Sequence, residues 1–271
     1  SLLFGYIFHL ILLITIIYSL HLDDDIQHVA SIAYAGSALG AIFATDFFVL
    51  FLFWETLTIT ATLLVWARRT KSARASGMRY LLVHGVGGLA LLAGIVLRYH
   101  ATGSIAFTPE AVADLTQFNH ISSYLIFLGF GVNCAWPLLH NWLTDAYPEG
   151  TITGTIALSA FTTKTAVYVL ARGYAGTEVL VLIGAVMAGF PIFYAVIEND
   201  LRRVLAYSLI NQVGFMVVGV GIGTAMALNG AVAHAFNDIL FKGLLFMSMG
   251  AVMYRTGKIN ATDLGGLYKT M

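Results

Sequence analysis

Nine long apolar stretches divide almost the whole of this 271-residue chain. An α-helix needs about 20 apolar residues to cross the hydrocarbon core of a bilayer, and each stretch is close to that length. Because a backbone inside lipid must satisfy its own hydrogen bonds, we expect all of them to be helical. The chain is therefore predicted to be an all-α, polytopic transmembrane bundle, one membrane domain over residues 1–271. The predicted spans are 2–21, 28–45, 47–67, 78–98, 121–141, 153–172, 178–198, 202–224 and 228–254.

Composition excludes a soluble protein, because hydrophobic residues make up 59% of the chain and charged residues only 10%. Soluble domains carry about 25% charged residues. Basic and acidic residues balance at 14 each, which gives no indication of a nucleic-acid partner. The single cysteine, Cys134, cannot form an internal disulfide and lies in an apolar stretch, which favours a small buried hydrophobic side chain.

No pattern for soluble catalytic chemistry is present in the sequence. It contains no phosphate-binding glycine loop, no nucleophile elbow and no histidine and cysteine cluster at metal-binding spacing. We therefore expect no cofactor and no metal, and at most a role as one subunit of a translocating oxidoreductase. The connection 99–120 is too short to fold alone and should be a loop with a short surface helix. The chain begins at Ser1 without a cleavable leader, which suggests an interior piece of a longer protein.

Basic residues predict the orientation, because lysine and arginine collect on the cytoplasmic side of membrane proteins. With nine spans, ten basic residues fall on one side, two on the other, and two within spans. We therefore place the connection 68–79 in the cytoplasm, and we expect a bacterial cytoplasmic membrane. The ten are Arg68, Arg69, Lys71, Arg74, Arg79, Arg202, Arg203, Arg255, Lys258 and Lys269; the two are Arg98 and Arg172.

Proline and glycine indicate where spans bend or pack closely. Pro137 removes a backbone donor within the fifth span, so a kink or a break is expected there. Such breaks line cavities and ion sites in transporters. Pro191 could kink the seventh span in the same way.

Four ionisable groups lie at membrane depth: Glu55, Lys164, Asp238 and Lys242. Glu55 is about 13 Å from the start of its span at about 1.5 Å per residue, which is near mid-bilayer. His234, Asp238 and Lys242 are four residues apart and share one helix face. Charges at this depth are costly and usually mark an ion or proton pathway, although a structural ion pair between helices is the alternative interpretation. Alternating acids and bases, with water between them, favour a proton path.

Five sequence segments together resemble the antiporter-like membrane subunits shared by Mrp-type Na+/H+ antiporters and respiratory complex I. Details such as the acid at position 238 are most similar to the Mrp D subunit. The segments are Ala44 to Glu55, His140 to Glu149, Ser159 to Tyr168, Asn199 to Phe215 and Asp263 to Leu267.

The resemblance implies an inverted-repeat fold in a protein of about 14 helices, of which this chain would supply the third to the eleventh. Residues 28–172 would form the first five-helix repeat, and 178–254 an incomplete second one. The residues implied in proton translocation are Glu55, Lys164, His234, Asp238 and Lys242.

One position departs from the family pattern. The family pairs the glutamate at position 55 with a lysine on the broken seventh helix, and Asn133 occupies that lysine's place here. An unpaired carboxylate in apolar surroundings should be neutral more of the time. His84 and His140 are candidate accessory groups that could compensate.

The functional hypothesis is proton translocation by one subunit of a multisubunit cation/proton antiporter, with other membrane subunits, the bilayer, protons and possible Na+ as its partners. Two alternatives remain open: a proton-pumping subunit of a complex I-type NADH-quinone oxidoreductase, and a non-transporting scaffold subunit. The sequence specifies neither the coupling ion nor the effect of Asn133.

Overall fold

The computed structural model describes residues 1–269, with the backbone alone for Lys269, so the predicted position of the Lys269 charge lies outside the described residues. The seven helices that are long and apolar enough to cross a membrane are α1 (Leu2–Ser19), α2 (Asp25–Phe43), α3 (Phe47–Trp66), α4 (Lys71–Thr102), α10 (Glu178–Ile197), α11 (Leu201–Ile222) and α12 (Ala225–Thr256). The shorter helices are α5 (Pro109–Val112), α6 (Ile121–Asn133), α7 (Asn141–Ala146), α8 (Gly154–Ala160) and α9 (Thr162–Gly173).

The long helices begin and end at residues suited to those positions. At the start of α3, for example, the Asp46 carboxylate accepts the backbone N–H of Val49 at 2.8 Å. Such caps satisfy backbone donors that have no helical partner. Three long helices end at glycines in the left-handed region, namely Gly103, Gly223 and Gly257, with φ of 67°, 70° and 68°. A residue without Cβ adopts this conformation with little strain, so the chain turns sharply there.

Two predicted spans are interrupted. The fifth span, predicted at 121–141, is helical only as far as Asn133, and α7 begins at its last residue, Asn141. The chain between α6 and α7 contains Pro137 together with Ala135 and Leu138 at φ of 59° and 70°, and this is the break that Pro137 predicted. The sixth span lies where it was predicted, at 153–172, but consists of two helices, since α8 ends at Ala160 and α9 begins at Thr162. At Pro191, α10 continues from Glu178 to Ile197 without interruption.

Successive connections alternate between two faces of the bundle. On the basic face, Arg68 pairs with Glu149 at 3.2 Å, and Arg79 pairs with Asp145 at 2.7 Å. On the opposite face, Arg172 donates to the Ala44 carbonyl at 2.7 Å. The basic residues named here are thus distributed between the two faces as the nine-span interpretation predicted.

The opposite face also carries an ion pair that fastens the connection 103–120. Arg98 is buried at the end of α4 and pairs with Asp114 at 2.9 Å. The guanidinium holds the pKa of the Asp114 carboxyl below its ordinary value, chiefly through this hydrogen bond.

Helices α10 and α11 pack with their backbones in contact. A Cβ added to Gly184 would fall 2.6 Å from the backbone nitrogen of Val218, and one added to Gly214 would fall 2.5 Å from that of Ala188. Small residues allow this approach where lipid supplies no hydrophobic drive between helices. The two helices therefore form one closely packed pair.

Candidate proton-translocation site

The centre of the site is an ion pair between α9 and α12. Lys164 Nζ lies 2.6 Å from Asp238 Oδ2, and both side chains are 0% exposed. The sequence identified both residues as candidates but gave no indication that they would be partners. Opposite charges without access to solvent attract strongly, and each would be costly without the other.

The break between α8 and α9 provides a further contact to the Lys164 ammonium. Lys164 Nζ donates to the Ser159 carbonyl at 2.9 Å, across the interruption at Phe161. A carbonyl near a helix end lacks its helical donor and is therefore available to a side chain. The ammonium is thus held between a carboxylate on α12 and a backbone oxygen on α8.

The predicted stripe on α12 is present, with Asp238 and Lys242 fully buried and His234 half-buried. Lys242 Nζ donates to Ser208 Oγ on α11 at 2.5 Å. His234 packs edge-on against Phe215 at 6.1 Å between ring centroids, and its Nε2 is buried without a hydrogen-bond partner. Asp238 therefore lies one helical turn from Lys242 while it pairs with Lys164.

Glu55 is separate from this centre. It is half-buried on α3, takes part in no ion pair among the residues that the structure describes, and its Oε1 has no hydrogen-bond partner. A Cβ on Gly88 would overlap this carboxylate, so Glu55 packs directly on the α4 backbone. Asn133 is completely buried at the end of α6, and neither atom of its amide is hydrogen-bonded.

The two candidate accessory histidines differ in their surroundings. His84 is completely buried on α4, stacked on Tyr80 at 3.9 Å and against Trp142 at 4.3 Å between ring centroids. It lies one turn from Gly88, where the Glu55 carboxylate sits. His140 is half-buried beside Phe190, at 4.7 Å.

Trp142 contacts the end of α6 at the first break. Its indole N–H donates to the Val132 carbonyl at 3.0 Å, at the end of α6. The aromatic side chain in the segment from His140 to Glu149 therefore satisfies part of the backbone that the break exposes.

Sequence reasoning missed several buried polar residues around the second break. Tyr34, Tyr80 and Tyr147 are completely buried near Thr162, and Arg202, expected as a surface charge, is only 2% exposed. Arg202 donates to the Gly150 carbonyl at 2.9 Å and so holds the connection between α7 and α8. The spacing of Ser76, Tyr80 and His84, four residues apart on α4, is the signal that could have indicated a buried polar face.

A sequence model of the family described as NADH:quinone oxidoreductase/Mrp antiporter, transmembrane, matches residues 44–271. The chain belongs to this family. Among curated relatives, it is 28% identical over 247 residues to the Na+/H+ antiporter D subunit of Alkalihalophilus pseudofirmus, covering 85% of this chain and 50% of that protein.

Two solved structures of the family's membrane assemblies match the fold. In an archaeal membrane-bound sulfane sulfur reductase, a respiratory membrane complex, the match has a TM-score of 0.88 and 30% identity, over 99% of this chain and 47% of that one. In the Mrp complex from Dietzia sp. DQ12-45-1b the TM-score is 0.86 with 28% identity, over 94% and 30%. The chain is thus an integral membrane protein, and it spans half or less of each of these relatives.

Proposed function

We propose that this chain forms the proton-translocating core of one subunit in a multisubunit cation/proton antiporter of a bacterial cytoplasmic membrane. The observation that carries the proposal is the fully buried Lys164–Asp238 pair at a helix break. A purely structural ion pair between two helices would need no further charge, yet Lys242 lies one turn from Asp238 on the same face of α12. Membrane subunits of the same assembly, protons and Na+ are the proposed partners.

The carboxylate of Asp238 is placed to serve two ammonium groups in turn. When it pairs with Lys164, Lys242 is held by the Ser208 hydroxyl. If it turned toward Lys242, Lys164 would lose its counter-charge and would release a proton more readily. The exchange between these partners is the proposed step that moves a proton along the bundle.

We assign Glu55 and His234 to the two ends of this route, with water between the groups. Neither makes a direct hydrogen bond to the central pair among the described residues. The unpaired Glu55 carboxylate is proposed to be neutral for most of the cycle, with His84, one turn from Gly88 on α4, as a candidate accessory group. Residues 28–172 and 178–254 are proposed as the complete and the incomplete repeat of the larger protein.

A respiratory role is the second candidate, and the match to the sulfane sulfur reductase complex favours it. In that case the same pair would move protons, driven by electron transfer in other subunits instead of by a cation gradient. A pulse of Na+ or K+ to everted vesicles that hold a pH gradient separates the two. Proton movement without a respiratory substrate supports the antiporter.

The scaffold alternative is tested by two variants of the central pair, made in the full-length protein in its native membrane. Lys164→Ala leaves Asp238 as an unpaired buried charge, so both assembly and transport should fall. Lys164→Leu combined with Asp238→Leu removes both charges, so assembly should recover while transport stays at least about tenfold below the wild type. Lys258→Ala, an exposed lysine on the basic face, is the matched control. Full transport by the double variant would show that the pair is only structural.

A further inference from the structure

Three tyrosine hydroxyls converge on one threonine at the break between α8 and α9. Tyr34 Oη, from α2, lies 2.5 Å from Thr162 Oγ1 and also accepts the backbone N–H of Thr162 at 3.2 Å. Tyr80 Oη, from α4, lies 3.3 Å from the same Oγ1. The Tyr147 hydroxyl is buried beside Tyr34 and Tyr80 and has no hydrogen-bond partner of good geometry. We call these four residues the hydroxyl cluster.

The hydroxyl cluster is completely closed off from solvent within the bundle. Each of its four side chains is 0% exposed. An unpaired buried hydroxyl costs about 1 to 3 kcal/mol, so an apolar side chain at position 147 would give a more stable packing. Tyr147 therefore carries a hydroxyl that its packing does not require.

The hydroxyl cluster lies between the basic face and Lys164. Arg79, the neighbour of Tyr80, pairs with Asp145 at the surface, two residues before Tyr147. On the inner side, Thr162 is two residues from Lys164 at the start of α9, and Lys164 reaches back across the same break to Ser159. The polar oxygens thus occupy the layer between the charged surface and the buried ammonium.

A second buried polar row on α4 leads to the same place. Ser76, Tyr80 and His84 are each 0% exposed, and the Ser76 hydroxyl has no hydrogen-bond partner. Because successive members are four positions apart, they lie along one face of the helix. Tyr80 therefore belongs both to the row on α4 and to the hydroxyl cluster.

We propose that the hydroxyl cluster is a second inlet, beside the route from Glu55, through which protons reach Lys164 from the basic face, an inference that rests on the proposed function. A proton arriving at the oxygen of Tyr80 displaces that hydroxyl's own proton toward Thr162 Oγ1, to which Tyr80 is hydrogen-bonded. Thr162 releases its proton through water to the neutral amine of Lys164. Every oxygen of the hydroxyl cluster is neutral again after the transfer, and the charge that has entered lies on the Lys164 ammonium beside Asp238.

The test removes single oxygens and keeps each side chain's shape. Tyr80→Phe, alone and together with Tyr147→Phe, is compared with Tyr174→Phe in vesicles under the Na+ or K+ pulse. Tyr174 is equally buried, and its hydroxyl donates to the Ser123 carbonyl at 2.6 Å outside the cluster. We expect the cluster variants to transport about tenfold more slowly than Tyr174→Phe, with a larger solvent isotope effect and equal assembly.

A second pair of variants distinguishes loss of the Thr162 hydroxyl from loss of folding. Thr162→Ser keeps the hydroxyl and should retain transport, whereas Thr162→Val keeps the shape and should lose it. Equal rates for Thr162→Ser and Thr162→Val, or for the phenylalanine variants and Tyr174→Phe, would overturn the inlet. If Lys164→Ala itself transported normally, the proposed function would fail; if only the hydroxyl variants were normal, the inlet alone would fail.

Discussion

At the scale of single residues, the depth of a polar atom within the membrane indicates whether it has a functional role. Glu55, Lys164, Asp238 and Lys242 could be found from the sequence because a charge inside an apolar run is rare. Their pairing could not be found, because 74 residues separate Lys164 from Asp238. The tyrosines of the hydroxyl cluster were missed for another reason: tyrosine is common in apolar helices, and its hydroxyl shows a role only when its partner is known.

The contact between Glu55 and Gly88 gives a first prediction. Gly88→Ala should displace the Glu55 carboxylate, because the added Cβ overlaps Glu55 Oε1. The carboxylate is the free end of a flexible side chain and can move aside, so stability should fall by about 1 kcal/mol at most while transport slows. Gly85→Ala is the control on the same helix, since nothing lies within 4 Å of its added Cβ. Thermal unfolding and transport rates check both, and equal behaviour of the two variants would contradict this packing.

The pair of Arg98 and Asp114 gives a prediction about pH. Because the guanidinium lowers the pKa of Asp114, the pair's contribution to stability is complete above the ordinary aspartate pKa of about 4. It should be lost as the pH falls through the lower pKa of the folded state. Asp114→Asn should cost about 1 kcal/mol at neutral pH and remove this acid dependence. Unfolding midpoints between about pH 3 and pH 7 test it, and an unchanged acid dependence in the variant would refute it.

At the scale of helices, the two breaks differ in how visible they are in the sequence. Pro137 predicts the first break, because proline has no backbone N–H to donate to a helical hydrogen bond. The second break, at Phe161, lies in a run with no proline or glycine, so local helix propensity does not predict it. The contacts of Thr162 with Tyr34 and Tyr80 come from residues 128 and 82 positions away, and such contacts cannot be read from a window of neighbours.

Backbone strain at the first break can be measured. Ala135 has φ of 59°, a conformation that costs a residue with Cβ about 1 to 2 kcal/mol. Ala135→Gly should therefore raise the thermal unfolding midpoint, by a gain of about 1 kcal/mol at most. Ala67→Gly, at a φ of −59°, should lower it instead. A lower midpoint for Ala135→Gly would show that the break is not strained at this residue.

At the scale of the whole molecule, apolar length and charge distribution gave about nine spans and two faces, which agrees approximately with the seven long helices and the shorter α6 to α9 of the described residues. Each predicted span lies where a helix or a broken helix is found, because nothing but helix satisfies a backbone in lipid. Apolar length and charge distribution do not indicate which helices contact one another, because apolar residues that face lipid and those that face another helix look alike in a sequence.

The two faces predict accessibility from opposite sides of the membrane. In a Cys134→Ser background, Lys71→Cys and Glu110→Cys place single exposed thiols on the basic and the opposite face. A membrane-impermeant maleimide should label Glu110→Cys in intact cells and Lys71→Cys only in everted vesicles. Labelling of both from one side would disprove the topology.

Asp238 pairs with Lys164 and lies one helical turn from Lys242, and under the proposed exchange of partners this limits how fast the molecule can work. A single carboxylate can pair with only one of the two ammonium groups at a time, so the two lysines would not release their protons independently. Proton flux should then level off as the driving gradient increases. The plateau would report how often the carboxylate changes partner, and supplying protons faster at the surface would not raise it.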